Sequence, residues 1–149
     1  IVDRRGFISS ARMSGAMIQV LPIAGLKEFG AGDDVGALLA EGLRGVELTA
    51  RDIVVVTQKI VSKAEGLRVR LTDVVPGAQA LAVASQCLKD PRLVELVLSE
   101  SIGIVRVAPH VLITRHRLGL VMANAGIDAS NIGHGGADEV LLLPKDPDA

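Results

Sequence analysis

The chain has 149 residues, 49% of them apolar, and a formal net charge of -1; it is long enough to bury a core and reads as one domain. Charge is nearly balanced without a Lys/Arg block, and aromatic content is 1%, carried by Phe7 and Phe29, so neither a basic face nor a stacking platform for nucleic acid is present. Cys87 is the one cysteine, which excludes an internal disulfide and a cysteine-based zinc site; no apolar run nears the roughly 20 residues of a membrane span, no secretory leader is visible, and a cytoplasmic protein without a membrane partner is expected.

Residues 1–16 show no sustained period and are expected to be disordered or a non-native extension. The chain opens on Ile1 and stops at Pro144-Lys145-Asp146-Pro147-Asp148-Ala149 without a closing element, which suggests a fragment of a longer reading frame. Ile18 to Pro22 alternates apolar and polar before a proline, favouring a short strand. Asp33 and Asp34 precede Val35, Leu38, Leu39 and Leu43, an i, i+3, i+4, i+8 series for one helical face, with Gly45 as its stop.

Ile53-Val54-Val55-Val56-Thr57 is a β-branched run without polar alternation, the pattern of a strand buried on both faces. Gln58 to Gly66 then turns polar, as a connection leaving that strand, and Leu67 to Leu71 alternates as a half-exposed strand. Residues 78–88 are an alanine-rich helical stretch. Asp90-Pro91 reads as N-cap and first position of a second helix carrying Leu93, Val94, Leu96, Val97 and Leu98.

Three β-favouring segments follow, Ile104 to Val107, Val111 to Thr114 and Leu120 to Met122, and a last apolar run, Val140 to Leu143, reaches Pro144. The later strands succeed one another without helices. The expected class is therefore α+β, a mixed sheet with several helices, rather than a regular doubly wound sheet.

Neither G-x-x-x-x-G-K-[ST] nor G-x-G-x-x-G occurs, since Gly133-His134-Gly135-Gly136 fits neither. Nucleotide would have to be held by other loops. Lys59 and Lys63, with Ser62, Glu65 and Gly66 around them, offer two ammonium groups and a hydroxyl to phosphate oxygens, or are ordinary solvated lysines. Asn124-Ala125-Gly126 supplies a turn, because Asn and Gly tolerate positive φ, and presents Asp128, Ser130 and Asn131 together. Such oxygens suit a hard octahedral cation or simply cap backbone donors. His110, His116 and His134 have no second ligand at metal spacing and are read as exposed or locally bonded; Cys87 is read as packing.

Taken in chain order, several segments resemble the F420-0:gamma-glutamyl ligase family. These are Leu21-Pro22-x-x-Gly25-Leu26, Gly32-Asp33-Asp34, the run from Asp52 to Gly66, Ala123 to Asn131, and Leu141-Leu142-Leu143-Pro144 with Asp146-Pro147-Asp148. The resemblance covers residues 18–149 and implies that 17–149 is the N-terminal portion of a larger ligase fold. It implies a GTP-dependent, amide-forming ligase that adds L-glutamate to the phospholactyl tail of the deazaflavin F420-0 through an acyl phosphate. Mg2+ or Mn2+ are the implied cofactors, with K+ as a further candidate, and a homodimer is the implied assembly.

By the same resemblance, Asp128 matches the metal-binding aspartate, and Asn131, Gln58, Lys59 and Lys63 match nucleotide contacts. Leu26, Lys27, Glu28 and Phe29 fall where another nucleotide-contacting loop lies, although Lys27 stands where relatives often carry proline. Leu67 likewise interrupts the usual Glu-Gly-Arg. A second metal motif, Asp-Thr-x-Gly-Arg, would lie beyond Ala149, so the chain alone is expected to be inactive. The rival reading is a non-catalytic module of the same fold that binds a deazaflavin or dimerises.

Overall fold

The computed structural model describes residues 9–13, 16–128 and 138–147. They divide into two units, one drawn from positions up to Glu28 with Asp34–Ile53, the other from Phe29–Asp33 with Val54 onward.

In the first unit β1 (Ser9–Met13) pairs antiparallel with β2 (Ala16–Val20), from Ser9 opposite Val20 to Met13 opposite Ala16. β2 is the strand expected before Pro22. β1 falls within residues 1–16, the stretch expected to be disordered or a non-native extension; its polar residues carry no period, and the regularity comes from backbone pairing to β2.

Helix α1 (Val35–Gly42) starts where Asp34 Oδ1 accepts the Ala37 N–H at 2.8 Å, satisfying a first-turn donor. Its expected apolar face, Val35, Leu38 and Leu39, is the half-buried one. A Cβ on Gly42 would stand 2.7 Å from Leu26 Cδ2 and 2.8 Å from Ile23 Cγ2, so the helix approaches residues 23–26 more closely than any larger residue would allow.

The expected strand at Ile53 to Thr57 is not formed. The run lies outside any strand, with Ile53 85% and Val55 84% exposed. β-Branched residues favour extended backbone, but a strand needs a partner ladder, and none of the described segments supplies one. The polar connection after it is instead helix α2 (Gln58–Ala64), too short for its period to stand out.

β3 (Arg68–Arg70) is half-exposed, as its alternation required. Helices α3 (Ala78–Cys87) and α4 (Pro91–Ser99) meet at a sharp junction, where Leu88 takes φ 54° and Asp90 Oδ1 caps the Arg92 N–H at 2.8 Å ahead of Pro91. Arg92 Nη2 also reaches Asp90 Oδ2 at 2.6 Å.

β4 (Ser101–Ala108), β5 (Val111–His116) and β6 (Val121–Ala123) form an antiparallel sheet in that order. Along β5 the inward positions Leu112, Thr114 and His116 are buried. β7 (Glu139–Leu141) pairs antiparallel with β3, Val69 opposite Val140.

The core of this unit joins Ala80, Val83, Ala84 and Cys87 of α3 and Val94 and Val97 of α4 to Leu112, Ala125, Ile127, Val140 and Leu141. The α+β class is the one expected, and its β part, among the described residues, is three small antiparallel sheets rather than one mixed sheet. Tight turns such as that between Ala108 and Val111 can join only antiparallel neighbours. No helix among the described residues is long and apolar enough to cross a membrane.

Candidate functional site

In the second unit α2 is held against the segment that follows β7. Gln58 Nε2 donates to the buried Ser62 Oγ at 2.5 Å and to the Leu142 carbonyl at 3.5 Å. Gln58 and Ser62 are one turn apart, so both face the segment. Lys59 and Lys63 share the same four-residue spacing and occupy a neighbouring face, both half-buried.

Lys59 meets Asp128 there. Its Nζ lies 2.6 Å from Asp128 Oδ2, with side-chain exposures of 32% and 31%. The Asp128 backbone is clamped from both sides, donating to the Leu141 carbonyl at 3.1 Å and accepting the Leu141 N–H at 2.9 Å. Leu142 N–H donates to the Leu67 carbonyl at 3.1 Å, which completes the tie to the β3 end.

The chain reaches Asp128 through a one-turn 3-10 segment at Asn124–Gly126 in which all three residues have positive φ: 51°, 51° and 72°. Asn and Gly were expected to allow this; Ala125 does so at a cost of about 1 kcal/mol or more. Ala125 is fully buried, packed into the core of the unit. A Cβ on Gly126 would stand 2.7 Å from both Leu143 Cδ1 and Met122 Sδ. Asn124 Oδ1 is buried without a hydrogen-bond partner among the described residues. Sequence reasoning treated Asn124 only as a turn former; a buried amide oxygen is legible only in three dimensions.

Phe29 is buried, at 7% exposure, so its backbone is what it can offer a ligand. Nearby, Gly32 N–H donates to the Ala64 carbonyl at 2.8 Å, seating residues 29–33 on the end of α2 that carries Lys63. Leu26, Lys27 and Glu28 belong to the first unit. Leu26 and Lys27 line, with Gly25, Leu38, Glu41 and Gly42, an open hollow of about 400 Å³. Asn131, Ser130 and His134 lie outside the described residues.

The remaining histidines are local, as expected. His110 is exposed in the β4–β5 turn, its N–H bonded to the Cys87 carbonyl at 2.7 Å. His116 is fully buried rather than exposed; its Nδ1 accepts the Leu118 N–H at 3.1 Å, and Nε2 stands 3.4 Å from Glu100 Oε2 without hydrogen-bond alignment. Cys87 is fully buried packing.

This arrangement suits anion and cation chemistry side by side. Two lysines on one helix face can hold phosphate oxygens, and Asp128 is a fixed, partly exposed hard-oxygen donor. No three His, Cys, Asp or Glu converge among the described residues. A divalent cation at Asp128 would therefore take most of its ligands from phosphates and water, the usual habit of magnesium. The residues fit such an ion on those terms.

Residues 25–149 match the sequence profile described as F420-0:Gamma-glutamyl ligase. Over 133 residues the chain is 42% identical to the coenzyme F420:L-glutamate ligase of Methanothermobacter thermautotrophicus, covering 88% of this chain and 52% of that protein. The proteins of the same name from Methanopyrus kandleri and Methanosarcina acetivorans are 40% and 44% identical, over 88% and 79% of this chain and 50% and 44% of their own lengths. The chain spans about half the length of the curated relatives it matches.

Proposed function

The chain belongs to the F420-0:gamma-glutamyl ligase family, and from that premise we propose that the full-length protein is a GTP-dependent ligase joining L-glutamate to F420-0. A carboxylate oxygen on the phospholactyl tail attacks the γ-phosphorus of GTP and GDP leaves. The amino group of glutamate then attacks the acyl carbon, phosphate departs, and an amide remains. Repetition lengthens a γ-linked tail.

The observation that carries this reading is the approach of Lys59, on the α2 face it shares with Lys63, to Asp128, whose backbone is bonded both ways to Leu141 of β7. Lys59 and Lys63, with Gln58 at the start of the helix, orient the phosphates. Asp128 would hold the divalent cation, Mg2+ or Mn2+. A cation held by Asp128 would supply positive charge to the phosphate oxygens that Lys59 and Lys63 orient. From the family resemblance, Asn131 and the residues Leu26, Lys27, Glu28 and Phe29 are proposed as further nucleotide-contacting positions, and K+ as a further candidate ion. The expected assembly is a cytoplasmic homodimer.

Because the chain spans about half of its relatives, the 149 residues by themselves are proposed not to turn over. The test is to incubate the full-length protein with F420-0, L-glutamate, MgCl2 and either GTP or ATP, and to weigh the product. A glutamyl mass increment with one GDP released per addition supports the reading; intact F420-0 with every nucleotide refutes it. Glutamylation by the 149-residue chain would refute the proposal that it needs the remainder.

A further inference from the structure

We propose that Lys59 is a built-in competitor for the cation at Asp128, so that nucleotide and cation must bind cooperatively. This rests on the reading of Asp128 as a cation ligand.

The two side chains meet between backbones that cannot easily withdraw. Asp128 is fixed by its two-way hydrogen bonding with Leu141. Lys59 projects from a helix whose Gln58 side chain donates to Ser62 Oγ and to the Leu142 carbonyl. At 2.6 Å the ammonium occupies one carboxylate oxygen, at the short end for a charge-assisted bond.

A divalent cation arriving at that carboxylate meets a positive charge already on it. The movable part is the flexible four-carbon stem of Lys59, and both groups keep about a third of their surface open, which leaves the ammonium room to turn away from the carboxylate. Nucleotide phosphates give it somewhere to go. Whatever draws Lys59 off Asp128 raises cation affinity, and by linkage the cation raises phosphate affinity by the same factor. A purely structural ion pair makes the opposite prediction: removing Lys59 loosens the site and weakens cation binding.

The experiment titrates Mn2+ into the nucleotide-free full-length protein, following free Mn2+ by electron paramagnetic resonance, for wild type, K59M, K59R and D128N. K59M should bind Mn2+ tighter by about tenfold, a typical coupling, and K59R, which keeps the charge, should stay near wild type. Equal or weaker Mn2+ binding by K59M, with D128N weaker than wild type, overturns the competition while leaving the cation site standing. Wild-type Mn2+ affinity in D128N overturns the cation site itself, and the competition with it.

A second arm does not depend on the folding of K59M. In EDTA, D128N should bind GDP several-fold tighter than wild type, because Lys59 no longer pairs with a carboxylate at position 128, and the gain should vanish in the K59M/D128N double variant. An unchanged GDP affinity in D128N, or a gain that persists in the double variant, contradicts the proposal.

Discussion

Lys59 Nζ sits 2.6 Å from Asp128 Oδ2, joining a seven-residue helix to a residue two positions beyond a left-handed turn. With each side chain about one-third exposed, the pair is worth about 1 kcal/mol or less to folding. Lys59→Ala should accordingly lower unfolding stability by no more than about 1 kcal/mol in a denaturant titration. A loss of several kcal/mol would show that the pair is a structural strut, against its role in binding.

Gly126 is confined twice, by a φ of 72° and by Leu143 and Met122 at 2.7 Å from where a Cβ would stand. Gly119 has a φ of 84° but nothing within 4 Å. Gly119→Ala should therefore cost about 1 kcal/mol, from backbone strain alone, and Gly126→Ala about 2–4 kcal/mol, from strain plus overpacking. Thermal unfolding of the two variants checks the order. Equal losses would mean that the left-handed turn, not the packing beneath Asp128, sets the cost.

The Asp90 carboxyl is held below its ordinary range, first by the hydrogen bond from the Arg92 side chain, which outweighs the opposing burial, and then by the Arg92 N–H. A carboxylate whose folded-state pKa is depressed contributes stability that is complete above its unfolded pKa and lost as pH falls through the folded one. The Asp90→Ala variant should be about 1 kcal/mol less stable than wild type at pH 7. That gap should close as pH drops below about 4, as read by denaturant unfolding at several pH values. A gap independent of pH would contradict the assignment.

Where local chemistry decides the structure, the sequence was a sound guide. Asp90 caps its helix, Pro91 opens α4, and Asn124 and Gly126 take positive φ, because each property belongs to the residue itself. The run Ile53 to Val56 misled, since being a strand depends on a partner elsewhere rather than on β-branching. Helix α2 was hidden by its shortness. Neither lysine spacing nor the Asp128 turn foretells that Lys59 reaches Asp128, because that contact is made by the docking of α2 beside β7. Asn131, which the family resemblance adds to the site, lies outside the described residues.

The most direct measurement is glutamylation of F420-0 by the full-length Asp128→Asn variant at saturating Mg2+ or Mn2+, with circular dichroism confirming an unchanged fold. If Asp128 holds the cation that the phosphates need, the substitution keeps the shape, removes the charge, and lowers turnover by at least about 100-fold. Turnover at the wild-type rate under saturating metal would contradict the account.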